Sequence, residues 1–192
     1  RVDGQVISVG PRSYLLLNKP VGVVCTMDDP EGRKIASDLL PKRYSKLFPV
    51  GRLDYSSEGA LLMTNDGALA NVLTHPKFGV EKVYLAKVRG LVQPNDPRIA
   101  QIVKGVQLED GMANVERIHV TKQTEKNTWI EMILREGRNR EIRRICEAVQ
   151  LDLIRLLRKS FGPIELGGLQ PGNWRELSDR EVRTLRKLLD KQ

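Results

Sequence analysis

The amino-acid sequence predicts an α+β fold in which a few helices flank a mixed, mainly antiparallel central sheet. Eight short segments are rich in Val, Ile, Leu and Tyr and are bounded by Gly, Pro or Asp, as β-strands are. Helix signals fall at irregular intervals between them, without the regular βαβ alternation of a parallel sheet. The chain has 192 residues and a hydrophobic content of 40%, which suits one sizeable globular domain.

The predicted strands begin after Pro11, which separates a short first segment from a new apolar run. Each run is bounded by turn-forming residues. In chain order, the strands are predicted over 13–17, 21–26, 60–64, 81–90, 114–121, 128–135, 152–159 and 174–177.

Two helices are predicted in the first part of the chain. One runs from about Asp66 to Leu73 and ends before His75-Pro76, because the residue before a proline avoids the helical region. The other begins at Asp96-Pro97, with Asp as N-cap and Pro in the first turn, and ends at Gly105.

Two more helices are predicted near the end of the chain. Asn139 is a candidate N-cap for a helix with an apolar face, and Ser178 with Glu181 forms a capping box for another. The apolar faces are at helical spacing and comprise Ile142, Ile145, Cys146 and Val149 in the first helix and Val182, Leu185, Leu188 and Leu189 in the second.

The composition excludes several classes of protein. No apolar run is long enough to span a membrane, and the start of the chain has no signal-peptide pattern. Two cysteines and two histidines are too few for a disulfide framework or a zinc centre, and no glycine-rich nucleotide-binding motif occurs. We therefore expect a soluble, cytoplasmic protein with no metal or cofactor.

The charge distribution suggests a polyanionic partner. The formal net charge is +8, and half of it lies between Arg135 and Lys159, a segment with eight basic and four acidic residues. Seven of the eight are Arg, which binds phosphate through two N–H groups and stacks on bases. On this feature alone, a nucleic-acid surface and an ordinary solvated face are equally plausible.

A candidate catalytic residue, Asp54, lies in the segment GRLDYSSEGALLMTNDG at 51–67. The segment places Asp54 in a loop before an apolar strand, where catalytic residues are often found. An aspartate there could act as a nucleophile or a base, or it could form a turn with the backbone of Ser56 or Ser57. The spacing alone favours the turn.

The same segment resembles the catalytic motif of RNA pseudouridine synthases, in the branch of ribosomal small-subunit synthase A and large-subunit synthases B, E and F. Three other motifs of that family follow the same order: LLLNKPVGVVCT at 15–26, EKVYLAKVRG at 81–90 and REGRNREIRRICEAV at 135–149. The resemblance extends from about 13 to 177. Ser57 and Ala60 replace the Thr and Leu common in the family, and both substitutions keep the chemical character.

The resemblance implies the pseudouridine synthase fold for residues 11–192, built from two halves that share one sheet. Residues 1–10, with the segment RVDGQVIS, resemble the end of an S4-like RNA-binding domain and its linker. We expect the rest of such a domain to lie outside this chain.

The resemblance also implies an activity, the isomerisation of uridine to pseudouridine in ribosomal RNA, without a cofactor. Asp54 would be the essential carboxylate, and Arg143 the positive charge that keeps it ionised in an apolar pocket. Tyr84 would stack on the uracil and assist proton transfer, and Leu156 would lie under the base. The alternatives are a phosphate contact or solvated residue for Arg143, and core packing for Tyr84 and Leu156.

The target uridine would be flipped out of structured RNA. Arg52 is a candidate contact to the phosphate or the flipped nucleotide, although a loop salt bridge is nearly as plausible. Further candidate phosphate contacts, all basic, are Lys19, Arg138, Arg140, Arg144, Arg155 and Arg158.

The sequences of residues 28–34, residues 104–111 and the Arg-rich motif resemble the large-subunit enzymes most, which favours large-subunit rRNA as the substrate. Small-subunit rRNA is the alternative. A non-catalytic RNA-binding or ribosome-assembly module on the same fold is the competing class. The presence of Asp54, Tyr84 and Arg143 favours the enzyme. We expect a monomer.

Overall fold

A computed structural model describes residues 11–189, so the predicted S4-like remnant at 1–10 lies outside the described residues. Eleven strands and four α-helices form within 11–189, together with three short 3-10 helices. The strands are β1 (Tyr14–Lys19), β2 (Phe48–Pro49), β3 (Glu58–Thr64), β4 (Lys82–Arg89), β5 (Val106–Leu108), β6 (Gly111–Ala113), β7 (Arg117–Gln123), β8 (Asn127–Leu134), β9 (Leu153–Phe161), β10 (Ile164–Glu165) and β11 (Trp174–Glu176). The helices are α1 (Gly67–Thr74), α2 (Pro97–Lys104), α3 (Glu141–Ala148) and α4 (Asp179–Arg186).

The predicted α+β class and mainly antiparallel sheet are confirmed. The central sheet has the order β11-β1-β3-β9-β4-β8-β7, with β2 and β10 paired at its side, and β5 and β6 form a separate hairpin. Every pairing in the central sheet is antiparallel except that of β3 with β9. The parallel pair of β3 and β9 joins strands β11, β1 and β3 to strands β9, β4, β8 and β7.

The junction between β3 and β9 requires a glycine. At Gly59, φ is +110°, and a Cβ atom would lie 2.3 Å from the carbonyl oxygen of Arg158. A side chain would therefore collide with backbone that has no room to move. This close approach places the loop before β3 beside the side chains of β9.

Three apolar clusters hold the sheet in place. On β1 and β3, alternate residues enter different clusters: Leu16 and Leu62 pack with α1 and α4, whereas Leu17 and Leu61 pack on the opposite face. Both faces of these strands are therefore covered. The third cluster packs α2 and α3 against β4, β8 and β9.

Side-chain caps form at three of the four helices of residues 11–189. Asp66 and Asp96 accept backbone N–H bonds from the first turns of α1 and α2. Ser178 and Glu181 form the predicted capping box at α4. These three predicted helix starts are confirmed.

The predicted cap at Asn139 is wrong. The residue before α3 is Arg140, which has a left-handed backbone with φ of +49° and makes no side-chain cap. Instead, Glu141 in the first turn accepts the backbone N–H of Arg138 at 3.1 Å. The side chain of Glu141, within the helix, thus accepts a hydrogen bond from a backbone N–H group that precedes the helix.

The predicted strand at 21–26 is also wrong. Its backbone contributes one isolated bridge, between Val24 and Ile35, and Gly22 turns the chain with a φ of +80°. The hairpin of β5 and β6 was not predicted, because three-residue strands are too short to show an alternating pattern. Within 11–189, no helix has the length and apolar character needed to cross a bilayer.

Candidate active site

A cleft with a volume of about 610 Å³ lies where β3 meets β9, a size typical of small-molecule sites. Five segments line it: the loop before β3, the end of α1 with the residues after it, the start of β4, the end of β8 with the Arg-rich loop leading into α3, and β9. Its lining includes Arg52, Asp54, Ser57, Lys82, Tyr84, Arg138, Arg140, Glu141, Leu156, Arg158 and Phe161.

Asp54 is held in the cleft by the loop that precedes β3. The neighbouring Leu53 is buried in the core, and the backbone N–H of Ser57 donates to the Asp54 carbonyl at 3.0 Å. The main chain of Asp54 thus makes the turn, and among residues 11–189 its carboxylate accepts no hydrogen bond within that turn. The carboxylate is 28% exposed and faces the cleft.

Arg143 on α3 is the charged partner of Asp54. Its Nε atom lies 3.7 Å from Asp54 Oδ2, and its Nη2 atom donates to the carbonyl of Ser56 at 2.9 Å and to Ser57 Oγ at 3.1 Å. Burial lowers the pKa of Arg143, whereas the negative charge of Asp54 raises it. A guanidinium stays protonated in proteins, so Arg143 carries its positive charge despite its burial. Arg143 thus both orients the loop and supplies a positive charge beside the carboxylate.

The Nε–H group of Arg143 is buried and has no hydrogen-bond acceptor among the described residues. Its distance to Asp54 is longer than that of a hydrogen bond. A buried donor without an acceptor costs free energy unless another group binds it. A substrate oxygen near Asp54 would have such a donor available.

Tyr84 and Leu156 line the same cleft as Asp54 and form part of its wall. They lie on neighbouring antiparallel strands, β4 and β9, next to a register shift after Val83. Such irregularities re-aim side chains near functional sites. Tyr84 is half-buried, and Leu156 is 4% exposed. The wall offers a ring and an aliphatic surface to a flat ligand.

Four of the arginines predicted to contact RNA fall into two groups. Arg52 and Arg140 are exposed, line the cleft and have no ion-pair partner within 11–189. Arg144 and Arg155 lie outside the cleft lining and pair with Asp110 and Glu58. The second group is therefore already neutralised by acids.

Arg138 and Arg158 line the cleft but are engaged in different ways. Arg138 pairs with Glu136 and also donates to the carbonyl of Met112 at 2.6 Å. Arg158 is 2% exposed and donates to the carbonyl of Ala60 at 2.8 Å. Its Nη1 atom also reaches the carbonyl of Arg52 at 3.4 Å, so it supports the loop that carries Asp54.

The prediction that Lys19 contacts phosphate is wrong. Its side chain is fully buried, and its ammonium group donates to the carbonyls of Pro20 at 2.9 Å and Val23 at 2.8 Å. Burial lowers the pKa of Lys19, while the charges of Cys25, Asp54 and Glu58 raise it. Lys19 therefore fastens the chain after β1 and lies out of reach of a bound strand.

Two cleft residues, Lys82 and Glu141, were not predicted from the sequence. Lys82 lies two residues before Tyr84, so strand alternation puts both side chains on the same face of β4, and this signal was available. Glu141 is 5% exposed, and burial raises its pKa. Its Oε1 atom has no hydrogen-bond partner among the described residues. Within 11–189, no group of three or more His, Cys, Asp or Glu residues is arranged to hold a metal ion.

Comparison with protein families matches residues 13–148 to the model described as RNA pseudouridylate synthase. An uncharacterized RNA pseudouridine synthase from Aquifex aeolicus is 40% identical over 187 residues, covering 97% of this chain and 74% of the relative. Ribosomal large subunit pseudouridine synthase B from Haemophilus influenzae is 43% identical over 196 residues, covering 98% of this chain. This chain spans only 54% of the Haemophilus protein.

Synthase B from Bacillus subtilis is 39% identical over 192 residues, covering 98% of this chain and 78% of the relative. Among solved structures, one of a pseudouridylate synthase superposes with a TM-score of 0.78 at 27% identity, covering 91% of this chain and 74% of that one. Human RNA pseudouridylate synthase domain containing 1 superposes with a TM-score of 0.58 at 17% identity, covering 91% of both chains. At that identity the likeness concerns the fold.

Proposed function

The chain belongs to the RNA pseudouridylate synthase family and is an RNA pseudouridine synthase, and from this premise we propose that it isomerises a specific uridine in ribosomal RNA. The uridine lies in large-subunit rRNA, a choice that the names of the Haemophilus and Bacillus relatives support. The reaction needs no cofactor, since every non-hydrogen atom of the product comes from the uridine and no oxidation state changes overall. The enzyme acts as a monomer in the cytoplasm.

Asp54 is the carboxylate that starts the reaction. The bond between uracil N1 and ribose C1′ breaks, the uracil turns, and a bond between C5 and C1′ replaces it, while the C5 proton leaves and N1 takes up a proton. Asp54 either attacks C1′ or removes a proton from C2′, and both routes need an ionised carboxylate at the sugar. Its place in a cleft, with no hydrogen bond from its own turn, supports this role.

Arg143 aims Asp54 at the sugar. Its guanidinium places a positive charge 3.7 Å from the Asp54 carboxylate. The bonds from Arg143 to Ser56 and Ser57 hold the loop in position for this. The unbonded Nε–H of Arg143 is available to a substrate oxygen.

Tyr84 and Leu156 hold the detached uracil while it turns. An aromatic ring stacks on any base, and an aliphatic surface makes no directional bond that would stop rotation. The hydroxyl of Tyr84 assists removal of the C5 proton. The presence of both side chains in the lining of the cleft that contains Asp54 supports these roles.

The RNA strand enters with the target base flipped out of its stack, at an expense of a few kcal/mol. Arg52 and Arg140 offset this by binding phosphates, since they are exposed at the cleft and have no acidic partner within 11–189. The observation that carries the whole proposal is the pairing of Arg143 with Asp54, whose carboxylate lies in a cleft also lined by an aromatic and an aliphatic side chain.

The test uses rRNA transcripts carrying tritium at uracil C5, because formation of the new bond expels that tritium. We expect release from the large-subunit transcript and a loss on the order of 10⁴-fold in Asp54→Asn, which keeps the size of the side chain. Asp152→Asn, which changes an exposed aspartate paired with Arg89, should retain wild-type release.

Three outcomes would contradict parts of the proposal. Release from the small-subunit transcript alone would change the substrate. Equal release by wild type and Asp54→Asn would remove Asp54 from the mechanism. If the protein binds the rRNA but releases no tritium, even when it is joined to an upstream S4-like domain, it is a non-catalytic module.

A further inference from the structure

Two buried cations lie side by side in the wall of the cleft, on strands β4 and β9. Lys82 is 8% exposed and Arg158 is 2% exposed, and both line the cleft. The Lys82 ammonium lies 5.4 Å and the Arg158 guanidinium 4.7 Å from the centre of the Phe161 ring. Both cations therefore lie against the same aromatic ring.

Each of these cations has a donor that the protein does not use. The Lys82 ammonium has three N–H groups and donates to the carbonyls of Val80 at 3.1 Å and Glu136 at 3.4 Å. The Nη2 group of Arg158 is buried without an acceptor among the described residues. No carboxylate within 11–189 lies at ion-pair distance from either, although the charge of Glu141 acts on Lys82 from further away.

Two positive charges buried together are unfavourable for the folded protein alone. Burial and, to a smaller extent, the charge of Arg158 lower the pKa of Lys82 to about 8, although the charge of Glu141 opposes the shift. A buried charge normally has a partner of opposite sign. The arrangement is therefore complete only when an anion enters the cleft.

We propose that Lys82 and Arg158 form a subsite that binds a phosphodiester group of the RNA strand next to the flipped uridine. This inference rests on the proposed function, because RNA is the anionic ligand. A phosphodiester carries one charge and unesterified oxygens that accept from both unused donors at once. Lys82 and Arg158 line the same cleft as Asp54, so a strand whose uridine reaches Asp54 has its backbone within the cleft as well.

The first test measures the binding of a fluorescently labelled oligouridylate across a series of KCl concentrations. Loss of one phosphate contact should reduce the slope of log affinity against log salt by about 0.7 in Lys82→Met. The control is Lys126→Met, an exposed lysine in the β7–β8 turn, at the end of β8 remote from Lys82. We expect the control to keep the wild-type slope. A folded Lys82→Met with the wild-type slope would overturn the subsite.

Urea unfolding separates a binding role from a structural one. If Lys82 binds phosphate, replacing its buried charge by an apolar side chain should leave stability at pH 7 unchanged or increased. A variant that is less stable, and whose salt slope equals that of wild type, would identify Lys82 as structural only.

A second measurement uses the wild-type protein and does not depend on any variant folding. The pKa of Lys82 is followed by NMR of ¹³C-labelled lysine, with uridine 5′-monophosphate or uridine added. We expect the phosphate-bearing ligand to raise the pKa above about 8 and uridine to leave it in place. Equal effects of the two ligands, or no effect of either, would contradict a phosphate subsite.

These binding tests stand apart from the test of the proposed function. Tritium release reports the isomerisation whether or not Lys82 binds phosphate. A silent tritium assay with a reduced salt slope in Lys82→Met would reject the reaction and keep the subsite. Active wild type with an unchanged slope would keep the reaction and reject the subsite.

Discussion

Arginines of one short stretch of sequence, 138–158, differ completely in what surrounds them. Arg143 lies beside Asp54, and Arg140 lines the cleft, exposed and with no acidic partner within 11–189. Arg144 and Arg155 form bonds with the carboxylates of Asp110 and Glu58. The comparison teaches that the number of arginines does not measure an RNA surface. What matters is which charges the fold leaves without an acid.

The largest expected effect on affinity comes from removing the unpaired arginines. Arg52→Ala combined with Arg140→Ala should reduce the slope of log affinity against log salt by about 1.4, because two phosphate contacts are lost. The measurement is oligouridylate or rRNA binding at several KCl concentrations. Arg144→Ala is the matched control, since its partner Asp110 already neutralises it. Equal slopes in the double variant and the control would break the distinction between the two groups.

The paired arginines should instead affect stability. Arg155 binds Glu58, which is buried at the β3–β9 junction, so Arg155→Ala leaves a buried carboxylate without its partner. Since Arg155 itself is half exposed, water screens the pair, and we expect a loss of about 1–2 kcal/mol in the free energy of unfolding. Urea denaturation measures it.

Arg140→Ala is the control for that measurement, because it removes an exposed arginine without a partner, and we expect a change below about 0.5 kcal/mol. If Arg155→Ala is as stable as Arg140→Ala, the ion pair at the junction does not contribute to the fold.

Much of this arrangement could be predicted from sequence because the signals are local. The capping box at Ser178 and Glu181 and the cap at Asp66 depend on residues three positions apart, and both helices form where predicted. The motif around Asp54 and the Arg-rich motif pointed to a carboxylate paired with Arg143, and the structure brings these two side chains to 3.7 Å.

The partners of the other charged residues could not be predicted, because they are remote in sequence. Arg155 and Glu58 are 97 positions apart, and Arg144 and Asp110 are 34 apart. A charge pattern along the chain contains no information on such pairs until the sheet order is known. The burial of Lys19 was missed for the same reason, since its environment is made by strands that neighbour β1 only in the folded protein.

We propose that Arg143 acts on the chemistry through Asp54, in contrast to the other arginines of residues 138–158. The most direct measurement is the single-turnover rate of tritium release at saturating RNA, together with the Kd, for Arg143→Ala and Arg144→Ala. We expect Arg143→Ala to lower the rate at saturation by about 10²- to 10³-fold with little change in Kd, and Arg144→Ala to match wild type in rate. A wild-type rate at saturation for Arg143→Ala, with the whole loss in Kd, would make Arg143 a phosphate contact and contradict the account.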